Sequence, residues 1–150
     1  MKVRTDFVTN SSSSSFILGF KNEDGINAVR NELPNYWAEF ALDDVINDIK
    51  NGVIDKEKAI EEYKENIGCW DWRFKGKDYW SLSKEERDSN EYKKFVADKT
   101  NELSKDFINS LNNYDVISIV EYEDCTSLGS ELEHDIMPYL NSTIKRLSHH

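Results

Sequence analysis

The chain of 150 residues has only two cysteines, Cys69 and Cys125. They are far apart and form neither a Cys-x-x-Cys pair nor a zinc-ligand spacing, so a disulfide-stapled scaffold and a structural zinc are both disfavoured. Two free thiols in a reducing, cytoplasmic setting are the expectation. No apolar run approaches the ~18 residues of a membrane-spanning helix. Lys2 and Arg4 are followed by Thr9, Asn10 and five serines where a secretory signal would place its apolar stretch. No repeat or linker is visible, and the length fits a single domain over residues 1–150.

Basic residues are also missing locally. Between Lys105 and Lys145 there is no lysine or arginine, while that stretch holds Asp106, Asp115, Glu121, Glu123, Asp124, Glu131, Glu133 and Asp135. The net charge is −10, and most of the excess lies in this last third. Such a field repels phosphate backbones and attracts cations or basic protein surfaces. Direct nucleic-acid binding and membrane partners are therefore not expected; the oligomeric state is left open. Aromatics make up 12% of the chain, too many for a disordered segment.

The periodicity predicts an α+β fold. It has a small, mainly antiparallel sheet of about four strands, with about five helices packed on one face. Residues 2–8 and 16–20 are β-prone and flank a polar turn or bulge made by the serine run. Asn22–Gly25 is predicted as a turn. Ile26, Val29, Arg30 and Leu33 mark a short helix that Pro34 ends. Phe40, Ala41, Val45 and Ile49 mark a second helix, which Asn51-Gly52 stops. Asp55 caps a third, running to Gly68, and residues 69–80 read as a strand and a turn. Ser83 with Glu86 forms a capping box, opening a helix with Tyr92, Phe95, Val96, Leu103, Phe107 and Leu111 on one face. Residues 115–123 (DVISIVEYE) are the clearest strand, expected at an inner position beside FILGF. A loop over 124–130, a capping box of Ser130 with Glu133, and a helix broken near Pro138 complete the prediction.

Four features could carry chemistry. The first is Asn10, Ser11, Ser12, Ser13, Ser14 and Ser15, whose amides and hydroxyls could cradle a phosphorylated ligand, or simply form a solvated hairpin loop. The second is the acidic loop. Glu121, Glu123 and His134 suit a divalent metal and a small metal-dependent hydrolase, although no established metal motif is matched. Glu121, Glu123, Asp124, Glu131, Glu133 and Asp135 alternatively form a surface that binds a partner. The third pairs Cys125 with His134, in acidic surroundings that make a thiolate scarce. The fourth is Trp70, Trp72, Phe74, Tyr79 and Trp80 interleaved with Arg73, Lys75 and Lys77, a stacking patch or ordinary packing. Trp70, Trp72 and Trp80 would form the patch. No organic-cofactor motif is present, and a divalent metal is the one cofactor left open.

Arg4, Phe7, Asn10, Ser11–Ser15, Phe16 and Ile17 resemble the opening of a loosely defined set of poorly characterised proteins from Gram-positive bacteria and their phages. EYEDCTSLGSELEH, residues 121–134, resembles an acidic loop and Leu-Glu-His helix start of the same set. The set has no established activity to transfer. The functional expectation is a non-enzymatic, phage-associated interaction protein that docks on the nucleic-acid-binding surface of another protein, as an inhibitor for example.

Overall fold

A computed structural model describes residues 13–68 and 71–149, with the backbone alone at 148 and 149. Strand β1 (Ser13–Phe20) starts inside the serine run and lies in the middle of the sheet. It pairs antiparallel with β3 (Val116–Glu123), Phe16 opposite Val120 and Ser13 opposite Glu123. Its other neighbour is β4 (Thr143–His149), and the two-residue β2 (Val53–Ile54) closes the far side of β3, giving the order β2-β3-β1-β4. The α+β class, the number of antiparallel strands and the inner β3–β1 pair are as the sequence predicts, while β2 lies where no strand was expected. The final strand is not: a helix was expected where Thr143–His149 lies. Thr143 and Ile144 are β-branched, but Ile144 and Leu147 are not two apart; a bulge in the pairing with β1 turns both into one core, and that pairing decides the outcome.

Six α-helices occur among the described residues: α1 (Glu23–Ala28), α2 (Glu39–Asn51), α3 (Lys56–Glu65), α4 (Lys84–Asp88), α5 (Asn90–Leu111) and α6 (Ser127–Glu131). They cover both faces of the sheet rather than one. Side chains of β1 alternate, so Phe16, Leu18 and Phe20 join Ile26, Val45, Ile49 and Met137 in one core. Ile17 points the other way, into a core with Ala59, Phe107, Leu111, Ile117 and Leu147. A strand buried on both faces reads as a continuous apolar run, and FILGF is one.

Local capping explains several helix starts. The Asp55 side chain accepts from the Lys58 amide and opens α3. Ser83 and Glu86 form the expected reciprocal box, but α4 is short, and Ser89 caps α5 separately. Asn22 caps α1 where a turn was expected. Phe40, predicted on the buried face of α2, is 72% exposed, and Leu42 and Ile46 are buried instead. The segment 71–78 forms a single bridge from Phe74 to Lys77 rather than a strand, with Lys75 and Gly76 both at positive φ between them. The expected strand over 2–8 lies outside the described residues. No helix among the described residues is long and apolar enough to cross a membrane.

Candidate functional site

The site is built where α6 meets the sheet. Thr126 caps α6 by accepting from the Gly129 amide. The loop expected over 124–130 is thus largely helix, and Ser130 does not act as a cap. Gly129 lies against the end of β3: a Cβ there would overlap the Glu123 carbonyl oxygen, so only glycine permits this approach. The helix then widens into a π turn, Leu132–Ile136, followed by a 3-10 turn, Met137–Tyr139. The wide turn lets Leu132, Glu133, Ile136 and Met137 all face inward. Such turns are concentrated at functional sites.

Glu133 is completely buried, and a buried carboxylate must be paired and hydrogen-bonded. Ser14 donates its hydroxyl to Glu133 Oε1 at 2.9 Å. Arg146 Nη2 approaches the same oxygen at 3.4 Å, and Arg146 Nε donates to Ser14 Oγ at 3.0 Å. The second oxygen, Oε2, lies 3.6 Å from His134 Nε2. One donor atom each from Asp124, Glu133 and His134 falls within 4.8 Å of the others.

This geometry corrects three expectations. Ser13, Ser14 and Ser15 are strand rather than an anion-holding loop; Ser14 and Ser15 are buried, while Asn10, Ser11 and Ser12 lie outside the described residues. Ser14 is small enough for the sheet interior and polar enough to hold a carboxylate. Ser118 of β3 acts similarly, donating to the Ile49 carbonyl oxygen at 2.6 Å. Second, Glu133 is unavailable to a docking surface. Third, the imidazole of His134 meets Asp124 and Glu133 rather than Glu121 and Glu123. Alternation along β3 sends Glu121 and Glu123 toward the face that holds Ile117 and Ile119, opposite the face of Glu133.

Of the acids expected to bind a partner, Glu121, Glu123 and Asp135 are exposed, and Asp124 and Glu131 are half-buried. Tyr36, 74% exposed, donates to Glu131 Oε1 at 2.7 Å, and this bond raises the phenol pKa. The charge of Asp135 adds to the same shift. A cavity of about 240 Å³ is bordered by Glu32, Asp135 and Tyr139 over the apolar Leu33, Ile136 and Leu140. A second hollow, of about 320 Å³, takes Glu121 with Asp48 at the open edge of β3.

The expected aromatic patch divides. Trp72 lies edge-on to Phe95 with ring centroids 6.4 Å apart, and Phe74 and Tyr79 pack into a small core with Leu82 and Tyr92. Trp80 is 75% exposed, and Trp70 lies outside the described residues. Cys125 is free and exposed, its Sγ 3.7 Å from a Glu123 carboxylate oxygen; Cys69 also lies outside the described residues.

Sequence reasoning missed Arg146, because its segment read as helix, and it missed Tyr36, Glu32 and Tyr139. No spacing marks Arg146, because Ile144 and Leu147 share one core through a bulge in the pairing with β1 while Arg146 faces the other. No protein-family model matches the chain, and no curated protein or solved structure is significantly similar to it.

Proposed function

We propose that the chain is a non-enzymatic interaction protein whose acidic face docks on a basic, nucleic-acid-binding surface of another protein. The observation that carries this reading is the exposure of Tyr36 and Tyr139 among Glu32, Glu131 and Asp135. Exposed aromatics are enriched at interface anchors, and carboxylates around them select a basic partner and speed encounter. Glu133 and its partners hold the π turn that carries Asp135 and directly follows Glu131. A phage-encoded inhibitor in a bacterial cytoplasm is the setting in which such a surface is most useful, and it agrees with the resemblance of the serine-rich opening.

The test is retention on immobilised polylysine across a salt gradient, comparing two double charge reversals of equal net change. Glu131→Lys with Asp135→Lys should elute at clearly lower salt than Glu57→Lys with Glu65→Lys, which alters exposed positions on α3. Equal elution would mean that net charge alone drives retention, and the face would lose its special role.

The convergence of Asp124, Glu133 and His134 favours a second reading, a divalent-metal site of the kind a small hydrolase would use. Against it, Arg146 and Ser14 already satisfy one Glu133 oxygen without a metal. A saturable rise in melting temperature with Mn²⁺, Mg²⁺ or Zn²⁺, abolished by Asp124→Asn, would establish the metal reading.

A further inference from the structure

We infer that the cavity bordered by Glu32, Asp135 and Tyr139 receives an arginine side chain of the partner. This deepens the interaction reading above and rests on it. The cavity holds about 240 Å³. Its floor is apolar: Leu33, Ile136 and Leu140 are buried members of the larger core, so the hollow is a gap in that core's outer wall. Its rim carries two carboxylates and a phenol ring that is 78% exposed.

The chemistry of the walls narrows the occupant. Two carboxylates repel an anion. An uncharged apolar group would cover the carboxylates and strip their water with nothing in return. A cation with a long apolar stem meets both parts, its methylenes on Leu33, Ile136 and Leu140 and its charge between Glu32 and Asp135. The Glu32 side chain is oriented by the Asn141 backbone N–H, which its Oε1 accepts at 2.9 Å, leaving Oε2 for a cation. Tyr139 then separates arginine from lysine. A planar guanidinium stacks on a ring and bonds carboxylates through a rigid fork, whereas an ammonium is compact and strongly hydrated. Charge complementarity extends outward to Glu131, which lies beside Tyr36.

The experiment is an ¹⁵N-correlation NMR titration of the full chain with N-acetyl-arginine amide, and separately with N-acetyl-lysine amide. The arginine compound should shift the amides of Leu33, Asp135, Tyr139 and Leu140 saturably, and the lysine compound should bind several-fold more weakly. Tyr139→Ala and Asp135→Asn, both at exposed positions, should each weaken arginine binding by about threefold while leaving the unfolding midpoint unchanged. Equal affinity for the two compounds, or shifts elsewhere, would overturn the arginine assignment. If the polylysine comparison still singles out Glu131 and Asp135, the acidic face survives and only the cavity's role falls. If neither experiment responds, both readings fall together. Self-association that protects Tyr139 would assign the face to a second copy of the chain and would also refute the proposal.

Discussion

Replacing Arg146 by methionine would leave the Glu133 carboxylate buried without its guanidinium. Methionine keeps an unbranched stem near the Phe16 ring, over which the guanidinium carbon lies 5.8 Å from the centroid, so packing changes little. Removing one partner of a fully sealed ion pair costs about 3–5 kcal/mol. Arg146 keeps 34% of its side chain exposed and its nitrogen lies at 3.4 Å, so the expected loss is about 2 kcal/mol. With a urea slope of about 2 kcal/mol per molar, the unfolding midpoint should fall by roughly 1 M at unchanged slope. Glu133→Gln retains a carbonyl acceptor for Ser14 and frees Arg146 to turn toward water, for a loss of about 1 kcal/mol. The double variant should lose about 2 kcal/mol rather than the sum, because neither change can break the pair twice. Additive losses, or an Arg146→Met midpoint within about 0.25 M of the parent, would refute the view that this pair holds the π turn to the sheet.

Two further changes test the frame around the site. Burial, together with Asp48, raises the Tyr122 phenol pKa far above its ordinary value, and the hydroxyl donates to Asp48 Oδ2 at 3.1 Å. Its contribution is complete below the unfolded tyrosine value of about 10 and is lost as pH rises beyond it, so alkaline denaturation followed by circular dichroism should be shallower for Tyr122→Phe. At neutral pH the same variant should be about 1 kcal/mol less stable, and no difference at either pH would mean that the bond to Asp48 contributes nothing. Gly52→Ala should destabilise by about 2 kcal/mol or more, measured by urea unfolding, because a Cβ would overlap the Ile119 carbonyl oxygen that faces it. A neutral result would mean that β2 moves freely away from β3.

The parts of the fold that were legible share one property: they follow from local periodicity or local side-chain chemistry. DVISIVEYE and FILGF are apolar enough to be inner strands wherever their partners lie. Asp55, and Ser83 with Glu86, announce helix starts by satisfying amides three residues away. The serine run does not announce itself as strand, because strand propensity disfavours serine. What overrides it is a carboxylate 119 positions away that needs a small buried donor. Arg146 was invisible for the same reason, since its role depends on a strand pairing made across most of the chain. Among the acids, alternation within β3 was visible, but which face would carry Glu133 depended on a π turn that no pattern of spacing marks. The acidic character of the face could be read from composition, whereas Tyr36, Glu32 and Tyr139 join it only through the fold.

The central position of β1 has a consequence for how the molecule is made. Its two neighbours, β3 and β4, both come from the far end of the sequence, so every hydrogen-bonded partner of β1 in the sheet is synthesised long after β1 itself. Helical segments such as α2 and α3 can form while translation continues, but the apolar run FILGF must wait without its ladder. Pairings this distant close slowly, and waiting hydrophobic strands are the ones that aggregate. A ribosome-stalled chain lacking β3 and β4 should therefore be captured by chaperones through residues 16–20, and release should coincide with the emergence of Arg146.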